Sequence, residues 1–227
     1  MPQPRPYNWI NIAFLALSPV AACLGVGFYL RYQGLHLGDL VSFCLMMSFT
    51  TLAITAGYHR YYSHRSYECH PVVQIFYLFF GAAALQNSVL HWASHHRDHH
   101  RFVDREGDPH NITRGLFWAH LGWIFYKDGP DRGNVSDLKA DRLVMWQHRT
   151  YLPIGVGLGF GLPFLIGLAF EHSWGSFLWG GLLRVVLLHH FTFLVNSAAH
   201  WVGAQPYSAK DSSRDNWWLA VLTLGEG

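Results

Sequence analysis

Histidine is the residue type whose number and spacing first indicate chemistry in this sequence. Sixteen of the 227 residues are histidines, as many as the lysines and arginines together. His96, His99 and His100 stand at positions i, i+3 and i+4, so a helix would carry three imidazoles on one face. Neutral imidazole is the commonest metal ligand among protein side chains. The cluster therefore predicts a metal site.

Two smaller clusters accompany it. His59 and His64 are five residues apart, a step that turns a regular α-helix by roughly 500°, so the two rings diverge unless the helix ends or is distorted there. Asn196 and His200, at i and i+4, share a helix face. Taken alone, each pair is better explained as polar residues at the end of an apolar helix.

The three clusters together contain six histidines, more than one metal ion usually takes from a protein, and this favours two metal ions. Ligands rich in histidine and free of thiolate suit iron, zinc, copper or nickel, and ligand type alone leaves all four open. Cys23, Cys44 and Cys69 form no CxxC pair and are predicted to be reduced and structural.

Long apolar runs must position these clusters. Only 13% of the residues are charged, against about 25% in soluble proteins, which excludes a disordered or linker protein. About 20 apolar residues suffice to cross a bilayer as a helix. Spans are predicted at residues 9–30, 40–58, 151–170 and 176–195, as two antiparallel hairpins. The apolar stretch at 71–90 is expected to be a membrane or interfacial helix, and the shorter aromatic stretch at 116–126 is expected to lie at the interface.

The charges predict an orientation. All lysines and arginines except Arg31 and Arg184 fall on one proposed side, which the positive-inside rule makes cytoplasmic. The histidine clusters lie on that same side, at span ends, where ionisable groups are usually functional. The predicted fold is an all-α multi-pass membrane protein, one domain over residues 1–227, with four transmembrane helices, a cytoplasmic cap carrying the histidine boxes, and both termini cytoplasmic. A net charge of +2 without a basic run excludes nucleic acid as a partner.

At the three histidine clusters and around them, the sequence resembles the membrane fatty acyl desaturases of the stearoyl-CoA (delta-9) type. The resemblance runs from about Thr51 to the last residue. The strings that carry it are TAGYHRYYSHRSY (55–67), QNSVLHWASHHRDHHRF (86–102), GDPHN (107–111), RGLFWAHLGW (114–123), SDLKADRLVMWQHR (136–149), LVNSAAHWVGAQPY (194–207) and the terminal LTLGEG.

The resemblance implies a centre of two iron ions and no catalytic residues beyond the metal ligands. The implied ligands are His59, His64, His96, His99, His100 and His200, with Asn196 holding an iron-bound water. The aspartates near these boxes are candidates to fix the tautomers of the imidazoles. These are Asp98, Asp104 and Asp108.

The resemblance also implies the reaction and its partners. Gln86, Trp92 and Thr192 fall at positions like those that bend the family's acyl tunnel. The expected activity is oxygen-dependent insertion of a cis double bond into a saturated fatty acyl thioester. Ser94 and His95 replace an Arg-Asp pair of eukaryotic relatives, so the acyl carrier stays open between CoA, carrier protein and lipid. A separate ferredoxin or cytochrome with its reductase is the expected electron donor, and membrane lipid surrounds the protein.

Members of this family follow GEG with a further HNxHH box, so the sequence is expected to be a truncated desaturase. The alternatives are a related membrane di-iron hydroxylase, an inactive fragment, and a metal transporter or haem-carrying membrane protein. Arg184, His189 and His190, which lie within a predicted span, keep the last alternative open. The expected location is the cell membrane in a bacterium or the endoplasmic reticulum in a eukaryote.

Overall fold

A computed structural model describes residues 5–129, 133–206 and 210–226. Arg132, Tyr207 and Gly227, which enter the charge pattern or the matching strings, lie outside this part. Throughout the described ranges the regular elements are helical, which confirms the all-α prediction. The helices are Trp9–Tyr32, Leu37–Ser63, Pro71–Ala83, Val89–Phe102, Leu116–His120, Ser136–Ala140, Arg142–Ala169, Ser173–His200 and Trp217–Leu222, with short 3-10 helices at Ile112–Arg114 and Gly122–Phe125.

Four of these helices are long and apolar enough to cross a membrane, as predicted: Trp9–Tyr32, Leu37–Ser63, Arg142–Ala169 and Ser173–His200. The third begins well before the predicted start at residue 151. Asp141 explains the difference, because its carboxylate accepts hydrogen bonds from the backbone N–H groups of Leu143 (2.9 Å) and Val144 (3.3 Å) and so caps the helix. Exposed leucines and aromatic residues along the long helices provide the apolar surface that a bilayer requires.

The chain folds into two compact units. The first unit consists of residues 1–17, 94–134 and 190–227, and the second of residues 18–93 and 135–189. His59 and His64 belong to the second unit, and the other predicted ligands belong to the first.

In the first unit, backbone hydrogen bonds join segments that are far apart in sequence. The N–H of Asn8 donates to the carbonyl of Phe125 (2.7 Å), and the N–H of Lys127 donates to the carbonyl of Pro6 (2.9 Å). The N–H of Arg214 donates to the carbonyl of Ala199 (2.7 Å), beside an isolated bridge between Ala204 and Asp215. The loop after the fourth long helix is thereby held against the end of that helix.

The second unit has an apolar core around Tyr58, whose ring is fully buried. Gly81 allows the approach of this ring, because a Cβ at position 81 would lie 2.2 Å from Cε1 of Tyr58. Buried Gln147 joins the core by donating from Nε2 to the Tyr58 hydroxyl (2.7 Å) and by accepting from the N–H of Val89 (3.2 Å). The Tyr58 hydroxyl and the Gln147 amide therefore satisfy each other within the apolar core.

Arg184 is the most unusual residue of the second unit, since it is charged, fully buried and within the fourth long helix. Its guanidinium donates to the carbonyls of Gly180 (3.0 Å), Ala83 (2.8 Å) and Gly159 (2.8 Å). These carbonyls belong to three separate stretches of chain, so a single side chain links them at a depth where unsatisfied polar groups are costly.

We expect Arg184→Met to lower the free energy of unfolding by about 2–5 kcal/mol, because it removes three charge-assisted hydrogen bonds and leaves buried carbonyls without their donor. Thermal unfolding in detergent, followed by circular dichroism, measures the change. The matched control is Arg31→Met, since Arg31 is exposed and should tolerate the change. Equal stability of the two variants would contradict the structural role of Arg184.

Candidate metal centre

The second long helix is distorted where it carries His59 and His64. Residues Ala53–Ser63 form a π-helix, in which hydrogen bonds run from residue i+5 back to residue i. The N–H of His64 donates to the carbonyl of His59 at 3.1 Å, and the Ser63 hydroxyl donates to the carbonyl of Tyr58 at 2.7 Å. The wider turn brings residues five apart onto one face. This is the distortion that the five-residue spacing needs for the two rings to converge.

The convergence is direct, because the Nε2 atoms of His59 and His64 lie 2.9 Å apart. Two nitrogens at roughly 2.1 Å from one metal ion would be separated by about 3 Å at a right angle. The donor atoms of this pair therefore suit a shared metal ion. Trp92 packs beside the pair, with its ring centroid 6.2 Å from that of His59 and 6.1 Å from that of Tyr58.

The part of the helix Val89–Phe102 that lies in the first unit, from Ser94 onward, presents the three-histidine cluster as predicted. The ring centroids of His96 and His100 are 4.6 Å apart, and those of His99 and His100 are 5.4 Å apart. His200, one hundred positions later in the chain, also reaches this cluster, with its ring centroid 5.1 Å from that of His99. Two of the three sequence clusters thus meet within one unit.

Asp108 fixes the orientation of His99. Its buried carboxylate lies 2.9 Å from Nδ1 of His99 and also accepts from the backbone N–H groups of Asp104 and His110, each at 3.2 Å. A carboxylate can only accept, so Nδ1 of His99 must carry the proton and Nε2 keeps its lone pair. Nε2 is then the nitrogen available to a metal ion.

The sequence assigned no role to His110, although the residue lies within the GDPHN string. Its ring centroid is 4.1 Å from that of His99, and the donor atoms of His99, Asp108 and His110 all lie within 4.8 Å of one another. Burial lowers the pKa of His110 well below its ordinary value, and the neighbouring imidazoles of His99 and His200 lower it further. Nδ1 of His110 makes no hydrogen bond to the described residues. A neutral, buried imidazole with an unused nitrogen fits a metal-binding environment.

The remaining predicted site residues divide between the units. Asn196 and Thr192 are half-buried on the fourth long helix, in the first unit. Gln86 belongs to the second unit, as Trp92 does, and its Nε2 lies 3.5 Å from the carbonyl oxygen of Leu188.

The histidines within the fourth long helix have other partners. Both ring nitrogens of His189 lie within 3.0 Å of backbone carbonyl oxygens, those of Val185 and Leu85. His190, in the first unit, has its Nδ1 3.1 Å from Nε2 of His120, whose Nδ1 lies 2.9 Å from the Ser197 hydroxyl. These contacts are those of structural histidines, and the arrangement provides no ladder of histidines along the helix.

Comparison with known proteins places these observations in a family. A family model described as fatty acid desaturase matches residues 37–227. Acyl-CoA desaturase 1 of Saccharomyces cerevisiae is 36% identical, over 97% of this chain and 44% of the yeast protein. The probable acyl-CoA desaturase of Schizosaccharomyces pombe is 37% identical, over 98% of this chain and 47% of its own length. Stearoyl-CoA desaturase 4 of Mus musculus is 38% identical, over 100% of this chain and 66% of its own length.

The chain thus spans less than half the length of the two fungal relatives and about two thirds of the mouse relative. The matched region contains all three histidine clusters and three of the four long helices. A match of this extent shows that the chain belongs to the fatty acid desaturase family.

Proposed function

We propose that the protein introduces a cis double bond into a saturated fatty acyl chain, with dioxygen as oxidant and two iron ions as cofactor. The substrate proposed is an acyl-CoA, as in the names of the two fungal relatives, and the position is delta-9, as in the names of two similar proteins of Caenorhabditis elegans, the Delta(9)-fatty-acid desaturases fat-7 and fat-6. The observation that carries the proposal is the convergence of His99, His200, His110 and Asp108 in the interior of one unit of a desaturase-family chain.

The reaction explains why a metal centre is needed. Removing two hydrogens from adjacent CH2 groups is beyond any acid or base that a side chain provides, so this chemistry belongs to a cofactor. The substrate supplies two electrons and an external donor supplies two more, which together with four protons reduce one dioxygen to two waters. Bound iron would supply the activation of dioxygen, and the protein supplies the ligands, their orientation and the placement of the acyl chain.

We propose His59, His64, His96, His99, His100 and His200 as the iron ligands, with Asn196 acting through a water. The assignment rests on the matching motifs and is supported within each unit by geometry: paired Nε2 atoms at His59 and His64, and the ring cluster around His99. Asp108 is proposed to orient His99 and not to bind iron, because its oxygens already accept from three N–H groups.

Gln86, Trp92 and Thr192 are proposed to shape the path of the acyl chain. A bend near the irons would hold one pair of carbons at the reacting position, which sets where the double bond forms. Trp92 supports this role in one respect, since its ring packs beside the proposed ligand His59. We further propose a ferredoxin or cytochrome as electron donor and a cytoplasmic location for the histidine clusters.

The reaction itself provides the first test. Purified protein supplied with ferrous iron, stearoyl-CoA, dioxygen and an NADH-driven cytochrome and reductase should yield oleoyl-CoA, because both hydrogens leave without oxygen entering the product. Gas chromatography with mass spectrometry of the methyl esters identifies the product. A hydroxylated acyl chain without olefin would instead assign the protein to the membrane di-iron hydroxylases.

The ligand role of His99 is tested by iron retention. We expect His99→Ala to lower the iron bound after gel filtration by at least half, because one ligand and its link to Asp108 are lost together. His70→Ala is the control, since His70 is exposed and caps the helix Pro71–Ala83. Iron content equal to that of wild type in His99→Ala would exclude His99 as a ligand.

Asp108 is tested separately from the ligands. Asp108→Asn keeps the size of the side chain but replaces with an NH2 group one of the two oxygens that together accept from three N–H groups. Losing a group that orients a metal ligand usually costs roughly 10- to 100-fold in metal affinity, so we expect iron to dissociate correspondingly faster. Transfer of iron to a chelator, followed by absorbance, gives the rate, and an unchanged rate would contradict the proposed role.

A further inference from the structure

A second carboxylate, that of Asp104, approaches another proposed iron ligand through an intermediate hydroxyl. We propose that Asp104, acting through Ser212, decides which nitrogen of His200 carries the proton and thereby makes Nε2 its iron-binding nitrogen. The inference rests on the proposed iron centre and goes beyond the sequence, which marked Asp104 only as one of three candidate aspartates without a partner and assigned no role to Ser212. Asp104 and Ser212 are positioning residues in this account, since neither contacts the metal.

The geometry consists of three short contacts within the first unit. The Ser212 hydroxyl lies 2.8 Å from Nδ1 of His200. The same hydroxyl donates to Oδ1 of Asp104 at 2.7 Å, and the backbone N–H of Ser212 donates to Oδ2 of Asp104 at 2.6 Å. Asp104 and Ser212 are 108 positions apart in sequence, so the tertiary fold alone brings them together.

Counting protons determines the direction of each hydrogen bond. The Asp104 carboxylate can only accept, so the single hydroxyl proton of Ser212 points to it. The Ser212 oxygen can then only accept from His200, and Nδ1 of His200 must carry a proton. A neutral imidazole has one N–H, which leaves the lone pair at Nε2 for the metal ion.

Neighbouring contacts hold Asp104 in place. Its backbone φ is 59°, in the left-handed region that Asp and Asn tolerate better than most residues. Its N–H donates to Oδ2 of Asp108, the carboxylate that orients His99. The segment 104–108 therefore supplies carboxylates that orient two proposed ligands, His99 directly and His200 through Ser212.

The hydrogen bonds that run from His200 through Ser212 to Asp104 form a relay. Asp104→Asn tests the direction of this relay. The N–H of Ser212 requires an acceptor, so the amide oxygen of Asn must take the place of Oδ2 and its NH2 group the place of Oδ1. The Ser212 oxygen then accepts from this NH2 group and its proton turns to Nδ1 of His200. His200 would be forced to protonate Nε2, the nitrogen that the iron needs. Asparagine also suits the left-handed backbone, so the fold should survive.

We expect ferrous iron to leave the Asp104→Asn protein roughly 10- to 100-fold faster than wild type when a chelator is added. Ser212→Ala should behave similarly, because it removes the acceptor of the His200 proton, whereas Ser212→Thr should restore slow release. Ser213→Ala is the matched control, since Ser213 is exposed and its hydroxyl donates to Asp211.

Two further measurements distinguish an effect on the orientation of His200 from a general loss of iron affinity. In the His200→Ala background, Ser212→Ala should cause no additional change in iron release, because the relay has lost its target. Nitrogen-15 spectra of histidine-labelled, iron-free protein should show the His200 proton on Nδ1 in wild type and on Nε2 in Asp104→Asn. The signal is identified by its loss in His200→Ala.

The outcomes distinguish this inference from the function on which it rests. A wild-type protein that retains no iron contradicts the proposed iron centre. A wild-type protein that retains iron no longer than its Asp104→Asn and Ser212→Ala variants contradicts the relay alone. The relay would also be contradicted by additive effects of Ser212→Ala and His200→Ala on iron release, or by an unchanged tautomer of His200 in Asp104→Asn.

Discussion

An imidazole ring can give a metal ion only one of its nitrogens, and in a neutral ring the other must carry the proton and find an acceptor. This constraint governs the arrangement of the first unit. Asp108 takes the proton of His99, and Ser212, itself directed by Asp104, takes that of His200. The loop that follows the fourth long helix is held in position by backbone hydrogen bonds such as that from Arg214 to Ala199. Asp108 lies within the GDPHN string, whereas Asp104 and Ser212 lie outside all of the matching strings.

The long helices satisfy a related requirement. Polar groups within a membrane-spanning segment need partners from the protein itself, because lipid offers none. Arg184 meets this need through three backbone carbonyls, and the π-helix of the second long helix meets it with hydrogen bonds over five residues. The same π-helix turns His59 and His64 to one face, so the backbone irregularity has a direct consequence for the proposed ligands.

Sequence periodicity and apolar runs predicted the helical class, the four long helices and the three-histidine face of the helix Val89–Phe102. The third long helix begins at Arg142, ahead of the predicted span at 151–170, and the mixed polar and apolar residues from Arg142 to Thr150 did not indicate this start, although Asp141 is an ordinary capping residue. The roles of His110 and Ser212 could not be predicted, since both depend on contacts between distant segments. A lone serine carries no signal in a sequence, whereas the aspartates near the histidine boxes could be named but not paired.

The proposed iron centre is tested most directly by the metal content of the purified protein, with its Mössbauer spectrum after enrichment in iron-57. We predict about two iron ions per chain, without haem, in sites coordinated mainly by nitrogen. The spectrum should show high-spin ferrous iron after reduction. Zinc or copper in place of iron, one haem per chain, or no bound metal would contradict it.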